Sequence, residues 1–457
     1  MTKRMKKIGK AFLQRSMVAV LLAGTALPAA AQSLGDTLVA AYRHSALLEQ
    51  NRAVLRAADE DVATAMAQLR PILQWALDHT FTDLDGVEST ATSFGLTASM
   101  TLYDFGRSQA AIDMAKETVL ATRYALVTVE QSILLSAVQA FMQVRAATEQ
   151  VELEQNSVRV LEQDLQAAQD RFDVGEITVT DVAQANAAVA ASRASLASAQ
   201  GDLEIAREAY FAATGNRPGT LSVPSLPQRP ASLAEARATA QRNHPAILQA
   251  NREVAAAELA VVAAERERNP TFTGSAGVSA DKEGDSQGRI GLQLSQTIYS
   301  GGRLSAAHRK AMANRDASRA SLLNSAREVD EAVGTAWANI DVAAAQIGAI
   351  NEQISAAQQA YDGVREEALL GARTTLDVLD SEQALLEARA DMITAEANLQ
   401  LAHYQLLSAM GLLTVEDLQL GIPTYDPSAY YNAVRDAPYT SRQGESLDRV
   451  LRAINRE

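Results

Sequence analysis

A chain that repeats its own plan can only adopt folds in which both copies supply the same elements, and this one repeats. Residues 44–52, HSALLEQNR, return at 244–252 as HPAILQANR, and TLYDFGR at 101–107 returns at 297–303 as TIYSGGR. GEITVTDVAQ at 175–184 is matched by GARTTLDVLD at 371–380, an offset of 196 residues, and Gly215 in AATGN is matched by Gly411 in SAMGL. A solenoid repeats every ~20–50 residues, so this is a duplicated half-protein. Each copy is expected to run as a helix, a short extended region, a very long helix, a pause and a long return helix. The first copy is assigned to residues 32–214, with a β-hairpin at about 72–103 and a helix pair at 106–214. The second is assigned to 232–411, with a hairpin at about 271–299 and a helix pair at 303–411. The Pro- and Gly-rich stretch 215–231 reads as a linker, and residues 412–457, which lose helical periodicity, read as an irregular tail against the main body.

The hairpin regions change period from helical to two. Phe94, Leu96, Ala98, Met100 and Leu102 alternate with Ser93, Gly95, Thr97, Ser99 and Thr101; Ile290, Leu292, Leu294 and Ile298 alternate with Gly291, Gln293, Ser295 and Thr297. Leu73, Trp75, Leu77 and Phe81, then Phe272, Ala276 and Val278, supply the preceding strands, and DLDGVEST and DKEGDSQG supply the loops. The second face is too polar for a dry core. Strands of about ten residues, apolar outside and wet inside, are the pattern of a transmembrane barrel. An amphipathic hairpin in a soluble sandwich is the competing reading. Four strands cannot close a membrane barrel, which needs about eight or more, so several chains would have to pool them.

From about Gly106 to Phe172 neither Gly nor Pro interrupts the chain, enough for roughly 100 Å of helix. The return helices carry a seven-residue stripe: Val182, Val189, Leu196, Leu203 and Tyr210, then Val378, Leu385, Met392, Leu399 and Leu406. Leu379, Leu386, Ile393 and Leu407 widen the second stripe into a coiled-coil seam. Helices this long and this narrowly apolar need neighbours along their whole length.

At the pauses, Gly175 and Gly371 sit where a helix C-terminus needs a left-handed residue. Thr178 with Asp181, and Thr374 with Asp377, have the spacing of a capping box for the returning helix. Capping accounts for Asp181 and Asp377 but not for Asp380, whose counterpart is Gln184. Asp377 and Asp380 share a helix face. If several copies surround an axis, the pair becomes a ring of acids that selects cations, the one place where a divalent ion would block. Arg373 beside it could hold the turn closed by pairing with an acid on a neighbour, such as Asp181.

The N-terminus carries six positive charges and no acid, then the apolar run MVAVLLAGTALPAAA ending in small residues. That is a secretory signal peptide, residues 1–31, cleaved near Ala31; the run is shorter than the ~20 residues that span a bilayer, which disfavours an anchor helix. Removing it takes the net charge from −14 to near −20, which argues against nucleic acid. The absence of cysteine excludes disulfides, thiol catalysis and a lipid-modified N-terminal Cys. No later segment is an unbroken run of ~18 apolar residues, so no helix is expected to cross a membrane.

At LYDFGR and IYSGGR, where strands give way to helices, and at RFDVGEITVTDV and LGARTTLDVLD, the sequence resembles the TolC family of outer-membrane exit ducts, over nearly all of the mature chain. The resemblance implies a membrane α+β fold: a homotrimer in which each chain gives four strands to a shared 12-stranded outer-membrane barrel, continuous with a periplasmic helical barrel whose coiled-coil tips close like an iris. It implies an outer membrane of a Gram-negative bacterium, contact with outer-membrane lipid, a periplasmic adaptor, and an inner-membrane ABC exporter or proton-driven pump. By the same likeness Asp377 and Asp380 match the acidic ring at the entrance, and Arg373, Thr180 and Asp181 match the groups that hold it shut. Tyr103, Gly106 and Arg107, with Tyr299, Gly302 and Arg303, mark the strand-to-helix junctions. A tyrosine at the tip of the best-known member of the family aligns with Ala368, so one closing contact is expected to be missing. The tail, YDPSAYYNAVRDAPY with GESLDRVL, looks like tails of members that serve type I protein secretion, and would lie near the equator of the helical barrel or be partly disordered. The same ducts serve drug efflux.

No enzyme is expected. The five histidines, His44, His79, His244, His308 and His403, have no zinc spacing, and no GxSxG, Walker loop or complete GxGxxG is present. No cofactor and no resident metal are expected. The rival reading is a periplasmic coiled-coil scaffold without a channel, which explains the helices but not the alternating strands.

Overall fold

The computed structural model describes residues 32–84 and 86–436 together with Glu445 and Arg449. The segment expected to be a signal peptide, residues 1–31, and the last part of the tail lie outside the described residues. In chain order the elements are α1 (Leu34–His44), α2 (Ala46–Ala67), β1 (Ile72–Leu84), β2 (Val87–Tyr103), α3 (Arg107–Asp173), α4 (Val179–Thr214), α5 (Leu233–Asn243), α6 (Pro245–Arg266), β3 (Thr271–Asp281), β4 (Ser286–Ser295), α7 (Arg303–Leu369), α8 (Thr375–Ala409) and α9 (Pro427–Val434). The two copies share this order as far as α8. They do not coincide with the compact units, which are Met1–His44, Ser136–Pro227 and Ala345–Leu401 in one, and Ser45–Leu135, Gln228–Ala344 and Ala402–Glu457 in the other. Helices α3 and α7 have 67 residues each, roughly 100 Å of helix.

The helices begin where side chains can satisfy their free N–H groups. Ser45 accepts from Leu48, Ser232 from Glu235 and His244 from Ala246, with Pro245 in the first turn of α6. His44 and His244 thus end the first short helix of each copy.

In the unit that holds the strands, these form one antiparallel sheet in the order β1-β2-β3-β4. The register puts Leu73, Ala98, Ala276 and Ile290 in one row and Trp75, Leu96 and Val278 in the next, all on one face. The opposite face has rows such as Gln74, Thr97, Gly277 and Arg289. Among the described residues neither edge, β1 or β4, has a partner strand. The strands of the first hairpin, 13 and 17 residues, are longer than the roughly ten expected, because both continue through most of the loop read at 83–90. The second is shorter: β4 ends at Ser295, so Ile298, expected in the strand, lies beyond it. The ladder stops at Thr271↔Ser295 because Pro270 precedes β3 and has no N–H to give.

The tail is not irregular throughout. Asp426 caps α9, Pro427 occupies its first turn, and Tyr425 and Tyr431 pack on the core of Leu55, Val62 and Val119. Tyr430 donates to Glu60 Oε1 at 2.6 Å. Helix α3 contains an 18-residue window of mean hydropathy 1.4, apolar enough by length and composition to cross a membrane. Counting unbroken apolar runs missed it because polar residues interrupt it. Leu134, Val138 and Phe141 of α3 are fully buried within the protein.

In the unit that holds the turns, the expected stripe is half of the seam. Val189, Leu203 and Tyr210 of α4 are buried, and so are Ala185, Ser192, Ala199 and Ala206. The second copy repeats the small row with Ala388 and Ala395. Small side chains at heptad spacing let neighbouring helices approach closely, and Ser192 Oγ meets Ser157 Oγ of α3 at 3.3 Å. At the top of α4 the buried Tyr210 hydroxyl lies 2.8 Å from Thr37 Oγ1 of α1.

Candidate functional site

The two turns are built alike. Gly175 (φ 83°) and Gly371 (φ 77°) are left-handed, and the next N–H reaches back to close the helix: Glu176 N to Arg171 O and Ala372 N to Glu367 O, both 2.9 Å. These are Schellman closures. A capping box then opens each return helix. Asp181 Oδ2 accepts from Thr178 N at 2.8 Å and from its hydroxyl at 2.7 Å, and Asp377 Oδ2 accepts from Thr374 N at 2.9 Å and its hydroxyl at 2.8 Å. Hydrogen bonds from the Thr178 hydroxyl and backbone hold the Asp181 carboxyl below its usual range, and those from the Thr374 backbone and hydroxyl do the same for Asp377.

The clamp across each turn reverses its charges between copies. Arg171 on the incoming helix pairs with Glu176 in the first turn at 3.2 Å; Glu367 on the incoming helix pairs with Arg373 in the second at 2.8 Å. Arg373 is therefore engaged within its own chain and Asp181 with its own Thr178. Thr180 and Asp380 are exposed, and Asp380 has no hydrogen bond or ion pair among the described residues. Among the described residues every hydrogen bond to the Asp377 carboxylate ends on Oδ2, leaving Oδ1 open. Ala368 is 7 % exposed. It lines a cavity of about 390 Å³ with Asp164, Arg171, Arg365 and Val378.

At the junctions the backbone turns through two left-handed residues, Phe105 (φ 55°) with Gly106 (φ 81°), and Gly301 (φ 59°) with Gly302 (φ 88°). The Asp104 carboxylate caps α3 by accepting from Ser108 N at 2.8 Å and Gly106 N at 3.1 Å. Burial opposes its ionisation, but these bonds and the Ser108 hydroxyl outweigh it and lower its pKa. Ser300 takes the same place before α7, its Oγ accepting from Leu304 N at 3.3 Å. Arg107 and Arg303 open the long helices, and Tyr103 packs edge-on to Phe105 at 4.8 Å. Arg266 donates to Gly106 O at 2.7 Å, and a Cβ on Gly106 would lie 2.8 Å from that guanidinium.

The apolar face of the sheet is open. Trp75 is 69 % exposed, Leu292 69 % and Ile290 88 %. Trp75 stacks on Phe94, centroids 6.3 Å apart. A sheet with a bare apolar face needs an apolar medium or a partner.

Comparison with known proteins accounts for that face. The profile of the outer membrane efflux proteins matches residues 38–216 and again 236–412, once per copy. This chain belongs to that family. Outer membrane efflux protein BepC of Brucella suis is 33 % identical to it over 93 % of this chain and 96 % of its own length. Outer membrane protein TolC of Escherichia coli is 24 % identical, covering 91 % and 90 %. Among solved structures the outer membrane protein VceC of Vibrio cholerae superposes with a TM-score of 0.72 at 20 % identity, covering 83 % of this chain and 96 % of that one. The fold is TolC-like, and the family is one of outer-membrane efflux and secretion channels. Channel membership explains the strands that a coiled-coil scaffold left unexplained.

One cluster in this efflux protein escaped the sequence analysis. Asp164 of α3, Tyr361 and Arg365 of α7, and Glu382 of α8 meet a few turns from the pauses. Glu382 and Tyr361 are buried, and among the described residues Glu382 Oε2, Asp164 Oδ2 and the Tyr361 hydroxyl have no hydrogen-bond partner. Burial, then the Asp164 charge, pushes Glu382 up from 4.5 to about 7 against the pull of Arg365. Burial, Asp164 and Glu382 push Tyr361 up to about 12. The repeat could not have pointed here, because residue 186, the counterpart of Glu382, is Asn, and residue 360, that of Asp164, is Ala. Among the described residues no group of His, Cys, Asp and Glu could hold a metal ion.

Proposed function

We propose that this protein is the passive exit duct of a tripartite export system, a homotrimer in the outer membrane of a Gram-negative bacterium. The observation that carries the reading is the four-stranded sheet with both edges unpaired and its apolar face bare. Three copies joined β4 to β1 close a 12-stranded barrel, which abolishes the edges and gives the apolar face to lipid. The wet face, with Thr97, Ser99 and Ser275, lines the pore. The signal peptide, cleaved near Ala31, sends the chain out of the cytoplasm. The protein does no chemistry. Its partners are a periplasmic adaptor and an inner-membrane ABC exporter or proton-driven pump. Cargo is protein, small molecules or both, as the partner transporter dictates.

The turns at Gly175 and Gly371 gate the duct. Asp380, unbonded, and Asp377, with Oδ1 open, supply three pairs of acids around the axis, a ring that draws cations and that divalent ions block. Arg373, Thr180 and Asp181 hold neighbouring turns together, and opening requires Arg373 to leave its contacts. The test is single-channel conductance in a planar bilayer, wild type against Asp377→Ala/Asp380→Ala, with and without millimolar divalent cations. Small cation-selective currents that divalents block, both properties weakened in the variant, are expected, and Arg373→Ser should enlarge the current. Inserted, folded protein that stays silent even as Arg373→Ser would overturn the duct reading.

A further inference from the structure

The two ends of the sheet differ in charge. Around the hairpin tips stand Asp83, Glu88, Asp281, Glu283 and Asp285, with Lys282 as the cation among the described residues. At the root end the balance reverses around β3 and β4. Arg268 stands just before β3, Arg303 opens α7, and Arg309 and Lys310 fall in its second turn. Arg268, Arg309 and Lys310 are exposed and make no ion pair among the described residues; Arg303 reaches only Glu267, at 3.8 Å, and stays 65 % exposed. The duplication does not account for this. The first copy has Asp113 and Met114 where the second has Arg309 and Lys310, and Asp113 is answered by Lys116 at 3.1 Å.

Between β4 and α7 the chain also holds out an apolar pair, Ile298 at 95 % and Tyr299 at 87 % exposure. An aliphatic and a tyrosine flanked by exposed cations have the composition of a segment at a membrane–water interface. Arg309 and Lys310 lie about 10 Å along the helix from Arg303, about one Debye length at physiological salt. The chain as a whole is acidic, net −14, so its field repels an anionic surface, and only a local concentration of cations can hold one.

We propose that Arg268, Arg303, Arg309 and Lys310, with Tyr299, form a docking surface for anionic phospholipid headgroups in the leaflet at the root end of the sheet. The proposal rests on the reading of the sheet as membrane-spanning. The surface is continuous in sequence with the lipid-facing strands, its charge complements the lipid phosphates, and its apolar pair suits a place where acyl chains are near. A soluble anion would need the cations alone.

The test uses the full-length protein in vesicles of phosphatidylcholine, with or without phosphatidylglycerol. Flotation reports insertion, and native mass spectrometry after detergent extraction counts retained lipid. Phosphatidylglycerol should be retained over phosphatidylcholine, the preference falling with salt and by about fivefold for each charge removed in Arg268→Gln/Arg309→Gln/Lys310→Gln. Arg309→Lys/Lys310→Arg, which keeps the charge, should retain it. So should Arg315→Gln/Arg319→Gln, farther along α7, whose cations already pair with Asp316 and Glu258. Equal retention of both lipids by inserted protein overturns the proposal alone. Inorganic phosphate that displaces the lipid at millimolar concentration also overturns it, in favour of a simple anion site. Loss of the trimer in the triple Gln variant overturns it in favour of a contact between copies, and failure to float with either vesicle overturns the membrane reading as well.

Discussion

Glu382 carries a charge that its surroundings disfavour. Its proton is held to about pH 7 by burial and by Asp164 on α3, with Arg365 on α7 pulling the other way and the Tyr361 phenol beside it. The folded pKa lies above the ordinary 4.5, so the fold binds the proton more tightly than the open chain does. The seam between these helices is therefore firmest below about pH 4.5, weakens as the pH climbs to about 7, and stays weak above it. After allowance for solvent screening the span is about 1–2 kcal/mol. Glu382→Gln keeps the neutral shape, so its stability should fall less than that of wild type over this range and exceed it at pH 8, with Asp59 and Asp164, also raised by burial, supplying the slope that remains. Chemical denaturation of the helices followed by circular dichroism at pH 5 and pH 8 checks this; an undiminished slope in the variant would assign the proton to another group.

At the scale of elements, the repeat is closed by a contact that recurs in each copy. Gly215 ends α4 at φ 73° against the His44 ring, and Gly411 follows α8 at φ 80° against the backbone of Asn243 and His244. A Cβ on Gly411 would fall 2.8 Å from His244 Cα and 2.9 Å from Asn243 O, and backbone cannot move aside as a flexible side chain can. Gly411→Ala should cost about 1–3 kcal/mol from the left-handed backbone alone, with the clash added. Gly348→Ala, on the exposed surface of α7 with open space around it, should instead stabilise by about 0.4–1 kcal/mol. Thermal melts of the two variants should move in opposite directions. The matched Gly and His were visible in sequence, but their contact was not, since it joins residues far apart in the chain. The paired small row, Ala185 to Ala206 and its copy, was likewise overlooked, because alanine at heptad spacing looks like the rest of an alanine-rich helix until burial separates it.

For the molecule as a whole, the proposed assembly rests on the sheet. A chain that left Ile290, Leu292 and Trp75 bare and both sheet edges unpaired would aggregate as a monomer in water. In mild detergent the protein should have the native mass of three chains. Leu292→Arg on the apolar face should cost about 2–4 kcal/mol if the residue lies near the bilayer midplane, seen as a smaller trimeric, membrane-inserted fraction. The same charge at Gln293, on the wet face, should leave assembly intact. Equal effects at both positions would remove the distinction between the faces on which the barrel rests.

The sequence by itself determined the duplication, the two hairpins, the long helices and the chemistry of both turns. Each of these is written in local spacing: period two, period seven, a Gly where a helix must end, and a Thr three residues before an Asp. Tertiary structure decided what depends on distant partners. Strand β4 stops at Ser295 because its neighbour begins after a proline, and α9 forms because Tyr425 and Tyr431 find the core of α2 and α3. Arg373 meets Glu367 because the Schellman turn folds one back over the other. Asp164, Tyr361 and Glu382 share a buried site only because three helices converge there, and no spacing within any one of them records it.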